Sequence, residues 1–174
     1  MEPILTEVLA VLSRSPATLR ALLDGIPEAL LTNRVAKDSF SALDVLGHLI
    51  HGEKTDWIPR VKLILSSGDG RPFVPFDRRG FQTAIRGRSA KELLEEFESL
   101  RNVNLSYLRE LSLTSEQLSL RGKHPELGPV TLGQLLATWA VHDLNHIGQV
   151  VGGMSQRYAE AVGPWKAYLG ILNR

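Results

Sequence analysis

The sequence predicts an all-α protein, a four-helix bundle with a long connection between helices two and three and a short C-terminal helix. Apolar residues recur at helical spacing in four long stretches of the chain. Three of these stretches begin with a capping box, in which Ser or Thr precedes an acidic residue or Gln by three positions. No stretch shows the alternation of apolar and polar residues that is typical of a strand. Four helices with one long connection are typical of a bundle.

The composition is that of an ordinary globular protein. The chain has 174 residues, which fits a single domain over 1–174, and 43% of them are hydrophobic. The net charge of +1 gives no reason to expect a nucleic-acid partner. The chain has no Cys, so His and carboxylates must hold any metal ion. The sequence has no signal peptide and no membrane span, so we expect a cytoplasmic protein that does not bind a membrane.

The first two predicted helices occupy the N-terminal third of the chain. Residues 3–24 form the first, in one or two pieces, because Ser-Pro at 15–16 is typical of a new helix start. The second runs from Ser41 to Leu65, and Pro59 should kink or divide it near Trp57.

Residues 66–88 form the long connection between helices two and three. Such a loop is uncommon in a compact domain unless it has a function. The simpler interpretation is a crossover between distant helix ends, and the alternative is a lid over a substrate. We expect Phe73, Phe76 and Phe81 to attach it to the bundle.

The third predicted helix runs from Ser89 to about Leu111, and a loop at 121–130 leads into the fourth. After Gly152 and Gly153, a short helical segment ends the chain. Its apolar residues exceed what one small bundle needs, so we expect a homodimer that buries them. These residues are Tyr158, Trp165, Tyr168, Leu169 and Leu172.

The fourth predicted helix, residues 131–150, carries two histidines four positions apart, His142 and His146. Their side chains leave the same face of a helix, about 5–6 Å apart at Cβ, so both imidazoles can bind one metal ion. The alternative interpretation is that two ordinary polar residues meet by chance at this spacing.

A third imidazole comes from the second helix, where His48 borders the apolar face. In a bundle, side chains from facing helices converge on the core. Three neutral imidazoles leave at least one coordination position free, as in catalytic rather than structural zinc sites. Zinc, nickel and ferrous iron all accept such ligands, so the sequence predicts a divalent metal without naming it.

Four further residues are weaker candidates. His51 faces further toward solvent. We expect His124, before Pro125 in a loop, at the surface, and the alternative is that this loop lines a site at the bundle mouth. Glu53 and Asp143 fall on apolar helix faces and could accept hydrogen bonds from metal-bound histidines. The alternative for these two carboxylates is that helix caps or an arginine hold them.

These stretches resemble the DinB-like superfamily over most of the chain. The resemblance is carried by Ser41-Ala-Leu-Asp-Val-Leu-Gly-His48-Leu, Phe73-Val-Pro-Phe-Asp77, His124-Pro-Glu-Leu-Gly-Pro-Val-Thr-Leu132 and Trp139-Ala-Val-His-Asp-Leu-Asn-His-Ile-Gly-Gln149. It implies a bundle of up-down-down-up connectivity. It also implies a divalent metal held by His48, His142 and His146, the same three residues that helix spacing and the bundle arrangement predict.

The resemblance also suggests a class of reaction. Relatives include transferases that use low-molecular-weight thiols such as bacillithiol, mycothiol-dependent isomerases, and proteins described as metal-dependent hydrolases. Our leading hypothesis is therefore a thiol S-transferase acting on a small-molecule substrate. The alternatives are a hydrolase that uses metal-bound water and a metal-binding or interaction module without turnover. No motif identifies a catalytic side chain beyond the metal ligands.

Overall fold

The structure is a computed structural model that describes residues 2–36 and 38–173, and helices dominate this part of the chain. The bundle consists of α1 and α2, α4 and α5, α6, and α8, which confirms the predicted fold class. In chain order the elements are α1 (Pro3–Leu12), α2 (Ser15–Leu23), α3 (Glu28–Thr32), α4 (Ala42–Thr55), α5 (Trp57–Ser67), α6 (Ala90–Glu110), α7 (Ser115–Leu118), β1 (Arg121–His124), β2 (Gly128–Thr131) and α8 (Leu132–Gln156). The up-down-down-up order of helix directions stays a prediction.

Helix packing brings α4 and α8 into contact, and these are the two helices that carry the predicted metal ligands. Helix α4 also packs on α6, and α1 packs on α8. The buried apolar side chains form two clusters. One surrounds Trp57 and Trp139, and the other surrounds Leu46 and Phe97. A group of buried polar residues lies between the two clusters along α4, α6 and α8.

The predicted capping boxes set the starts of α4, α6 and α8. At α4, the Ser41 hydroxyl accepts a hydrogen bond from the Asp44 backbone N–H at 3.2 Å. The Asp44 carboxylate accepts one from the Ser41 backbone N–H at 2.8 Å. The same reciprocal pattern occurs at the starts of α6 and α8. Each box satisfies two helix-end donors, which fixes where the helix begins.

The predicted break near Trp57 is present, but Pro59 lies just after it rather than in it. Asp56 separates α4 from α5 with φ −115° and ψ −66°. Pro59 is the third residue of α5, where a backbone N–H would have no partner inside the helix anyway. The proline is therefore compatible with the new helix that begins at Trp57.

The chain between residues 121 and 131 corrects the prediction that it is a loop. Two four-residue strands pair there as an antiparallel hairpin, with Arg121 opposite Thr131 and His124 opposite Gly128. Gly128 has φ +75°, a conformation that favours glycine. The strands are too short, and too poor in alternating apolar residues, for sequence periodicity to reveal them.

The end of the fourth bundle helix is also corrected. Helix α8 continues through Gly152 and Gly153 to Gln156. The side-chain amide of Asn33 donates a hydrogen bond to the Gly153 carbonyl at 2.7 Å. This bond connects the last turns of α8 to the residue that follows α3. The short C-terminal segment consists of 3-10 turns, Gly163–Tyr168 and Gly170–Leu172.

The long connection is attached to the bundle by aromatic residues, as predicted. Phe73 and Phe81 are each only 2% exposed. Phe76 is half-buried, with its ring centroid 5.4 Å from that of His48. The connection therefore acts as a crossover and also forms one wall beside the predicted metal ligands.

Candidate metal centre

The three predicted ligands meet at one point between α4 and α8. The Nε2 atom of His142 lies 3.1 Å from Nε2 of His48 and 3.1 Å from Nε2 of His146. Among the described residues, these three histidines are grouped closely enough to hold a metal ion together. Their assignment as ligands stays a prediction, but the bundle gives them the geometry it requires.

In two of the three rings, Nδ1, the nitrogen that faces away from the centre, makes a hydrogen bond that orients the ring. His48 Nδ1 lies 3.3 Å from the backbone carbonyl of Arg78, and His146 Nδ1 lies 2.8 Å from the amide oxygen of Gln149. Both partners are acceptors, so each Nδ1 carries the proton and each Nε2 presents a lone pair. Acceptors in this position are typical behind metal-binding histidines.

The third ring indicates that the centre fits a cation. His142 Nδ1 is buried and has no hydrogen-bond partner within the described residues. Without a cation, His142 Nε2–H would have to donate to one of the two facing Nε2 lone pairs. With a cation at the centre, all three Nε2 lone pairs can point at it. Tetrahedral zinc with Zn–N distances of about 2.0–2.1 Å separates its ligand nitrogens by about 3.3 Å. The two separations from His142 Nε2, each 3.1 Å, are close to this value, and all three ligand atoms lie within 4.8 Å of one another.

Burial keeps the three rings neutral, which is the form that binds metal. Burial, reinforced by the charge of His146, lowers the pKa of His48 to about 4 and that of His142 to about 2. Burial also lowers the pKa of His146. The positive charge of Arg78 acts in the same direction at all three rings.

The centre opens onto a cavity of about 1150 Å³, which all three histidines line. Trp57 stands edge-on to His142, with ring centroids 5.1 Å apart. Phe76 and Arg78 line the same cavity from the long connection. In the described part of the chain, no fourth His, Asp or Glu joins the ligand group, so the cavity gives a small molecule access to the centre.

The hypothesis that Glu53 and Asp143 accept hydrogen bonds from the histidines is wrong for this structure, because both are bound to Arg101. Arg101 Nη2 lies 2.7 Å from Glu53 Oε1, and Nη1 lies 2.6 Å from Asp143 Oδ2. All three side chains are 0% exposed. Trp139 Nε1 also donates to Glu53, at 3.2 Å. Two buried carboxylates need a buried cation, and Arg101 supplies it.

The remaining two histidines do not join the centre. His51 lies beside Phe76, with ring centroids 5.1 Å apart, and is half-buried rather than solvent-facing. His124 is at the end of β1 and lines the cavity. Of the two predicted positions, surface or site wall, the structure therefore shows the site wall.

Sequence reasoning missed three contributors: Arg101, the carbonyl of Arg78 and the amide of Gln149. For Arg101 a signal was available, since it lies one helical turn after Phe97 and one turn before Leu105, both core residues. An arginine on an apolar face needs a buried acid as partner. The Arg78 carbonyl left no signal, because every residue has one.

Fold and site together define a helical bundle with a metal-binding centre. The chain belongs to the DinB superfamily, whose family model matches residues 12–150. Its fold is similar to that of YfiT from Bacillus subtilis, with a TM-score of 0.77 and 21% sequence identity, covering 91% of this chain and 90% of that one. YfiT is described as a probable metal-dependent hydrolase with an unusual four-helix bundle topology.

A comparison with curated proteins finds no match. In the described residues, none of the helices combines the length and the apolar character needed to cross a membrane.

Single replacements of the histidines test the centre. We expect His48→Ala and His146→Ala each to lose the bound ion, because two nitrogens hold it much more weakly than three. We expect His51→Ala to retain it as a matched control on the same helix as His48. The measurement is zinc content per chain after gel filtration, with thermal unfolding recorded with and without chelator.

Two results would contradict this assignment. One is a parent chain that binds no divalent ion near neutral pH. The other is a His51→Ala variant that loses the ion while His48→Ala keeps it.

Proposed function

We propose that the three-histidine centre holds a divalent ion, zinc, nickel or ferrous iron, and that the protein is an enzyme acting on a small molecule. The convergence of three Nε2 atoms at the wall of an open cavity carries this proposal. An ion with three protein ligands and an open position is typical of catalytic rather than structural sites.

The reaction we favour is the transfer of a low-molecular-weight thiol to an electrophilic carbon. A bound divalent ion would supply a Lewis acid that lowers the pKa of a thiol or of water. In the transfer, the sulfur forms a bond to carbon, the leaving group departs with its electron pair, and the thiol proton is released. The positive charge of Arg78 beside the three rings favours the anionic sulfur over the neutral thiol.

Two observations support transfer over hydrolysis. The cavity of about 1150 Å³ exceeds the usual volume of a site for one small ligand, about 300–1,000 Å³, so two substrates have room. A hydrolase of this type usually has a free carboxylate near the ion to accept a proton from water. The buried carboxylates Glu53 and Asp143 are instead held by Arg101, and Asp56 in the cavity wall is paired with Arg60.

Hydrolysis remains the alternative reaction, supported by the fold shared with YfiT, which is described as a probable metal-dependent hydrolase. A metal-binding module without turnover is the second alternative. The open cavity counts against it, since a purely structural centre needs no access for small molecules. The cytoplasmic location stays a prediction.

Thiol transfer is tested with metal-loaded protein and thiol–electrophile pairs. We expect disappearance of the thiol, with glutathione, cysteine or bacillithiol as donor and chlorodinitrobenzene as acceptor, at a rate that chelator abolishes. Cobalt-loaded protein should show a thiolate-to-metal absorption band when the thiol is added. The His48→Ala variant should show neither effect.

A loaded chain that turns over no thiol and shows no such band would contradict the transferase. If that chain hydrolysed esters or amides with the same dependence on metal, the hydrolase would replace it.

We also propose a homodimer that covers the aromatic residues of the C-terminal segment. Trp165 is 71% exposed and Tyr168 is 82% exposed. Tyr158, at the end of α8, is 51% exposed. Burial of such side chains on association is strongly favourable. Sedimentation at low micromolar concentration should show a dimer that Trp165→Ser weakens, and a parent chain that is only monomeric would contradict this assembly.

A further inference from the structure

A second polar group lines the cavity away from the three histidines. It consists of Asp56, at the break between α4 and α5, Arg60, one turn later on α5, and His124 at the end of β1. Phe73 is close to both Arg60 and His124, with its ring centroid 5.0 Å from Arg60 Cζ and 6.2 Å from the His124 ring centroid. Neither the metal centre nor thiol activation uses this group.

Arg60 is held in place and retains free donors. Its side chain is only 12% exposed, and Nη2 lies 2.7 Å from Asp56 Oδ1. The guanidinium stacks over the Phe73 ring, 5.0 Å from its centroid. Among the described residues, no hydrogen-bond acceptor is found for its remaining N–H groups. Since Arg60 lines the cavity, those donors are available to a molecule inside it.

His124 supplies a second donor beside Arg60. Its Nδ1 accepts hydrogen bonds from the backbone N–H groups of Glu126, at 3.2 Å, and Leu127, at 3.1 Å. The proton of the neutral ring is therefore on Nε2. The ring stands perpendicular to Phe73, with centroids 6.2 Å apart. Phe73 thus orients two donors around one ring.

The attraction between Asp56 and Arg60 does not fully offset the effect of burial on their pKa values. Burial lowers the pKa of Arg60 although Asp56 opposes this effect. Burial raises the pKa of Asp56 to about 6 although Arg60 opposes it. Burial therefore disfavours the charged form of each group in spite of their attraction. A further acceptor beside Arg60 would restore the solvation that burial removes.

We infer that Arg60 and His124 form a carboxylate-binding subsite, which anchors an acidic small molecule in the cavity that also opens onto the three-histidine centre. A guanidinium offers two parallel N–H groups to a planar carboxylate, and charge-assisted bonds of this kind are the strong ones. Asp56 Oδ1 accepts from one N–H group of Nη2 and so fixes the guanidinium. The second N–H group of Nη2 remains beside a neighbouring donor for the carboxylate. The exposed carboxylate of Glu126 lines the same cavity and disfavours ligands with additional negative charge nearby.

The inference is tested with probes that carry no thiol, so its outcome is independent of thiol transfer. Zinc-loaded protein is titrated with butanoate, hexanoate and octanoate, each paired with its primary amide. The readouts are the NMR resonances of the Arg60 Nε–H and His124 Nε2–H groups. We expect at least one acid to bind about tenfold more tightly than its amide and to shift both resonances, since charge-assisted hydrogen bonds are roughly twice as strong as neutral ones.

Variants then separate this subsite from binding at the ion. Arg60→Gln should abolish the preference for the acid. The double variant Asp56→Asn with Arg60→Gln leaves no unpaired buried charge and should abolish it in a folded chain. Arg109 is exposed in the last turn of α6 and lies outside the cavity, so Arg109→Gln is the matched control. This variant should retain the preference for the acid. Equal binding of acids and amides, or an acid preference that survives in the double variant, would overturn the inference.

Discussion

Arg101 is the residue on which the arrangement of this bundle depends. Its guanidinium binds Glu53 on α4 and Asp143 on α8, and Nη1 also donates to the Leu12 carbonyl at the end of α1. Four bundle segments therefore meet at one buried cation on α6. Removal of one member of such a group costs about 3–5 kcal/mol, because it leaves an uncompensated buried charge. Asp143 directly follows His142, and Glu53 lies five positions after His48, so the same contacts set the spacing between the helices that carry the metal ligands.

Much of the site could be predicted because its geometry is local. His142 and His146 lie on one helix, and an α-helix alone places residues four apart on the same face. His48 could be added because it borders the apolar face of another helix that the bundle turns inward. The capping residues Ser41 and Thr131 give the starts of both helices, since capping depends on neighbours within one turn.

The features that could not be predicted depend on contacts between distant segments. Two glycines in succession usually end a helix, yet α8 continues through Gly152 and Gly153 to Gln156, and Asn33, from another segment, donates to the Gly153 carbonyl. The hairpin forms although its strands lack a periodic pattern. The pairing of Glu53 and Asp143 with Arg101 joins residues 48 and 42 positions apart. Spacing places each of the three residues on an apolar helix face, but it does not show which of them pair.

The most direct test of this account is the zinc affinity of Arg101→Lys, measured by competition with a chromophoric chelator. Lysine keeps the positive charge but has no planar fork to bind both carboxylates. We expect zinc to bind about tenfold more weakly, equivalent to about 1.4 kcal/mol, because weaker contacts in the buried ion-pair group loosen the spacing between α4 and α8. Circular dichroism should show unchanged helix content. Arg88→Lys, at the partly exposed pair with Glu96, is the matched control and should bind zinc as the parent does. A folded Arg101→Lys chain with the zinc affinity of the parent would contradict the claim that Arg101 sets the spacing of the three histidines.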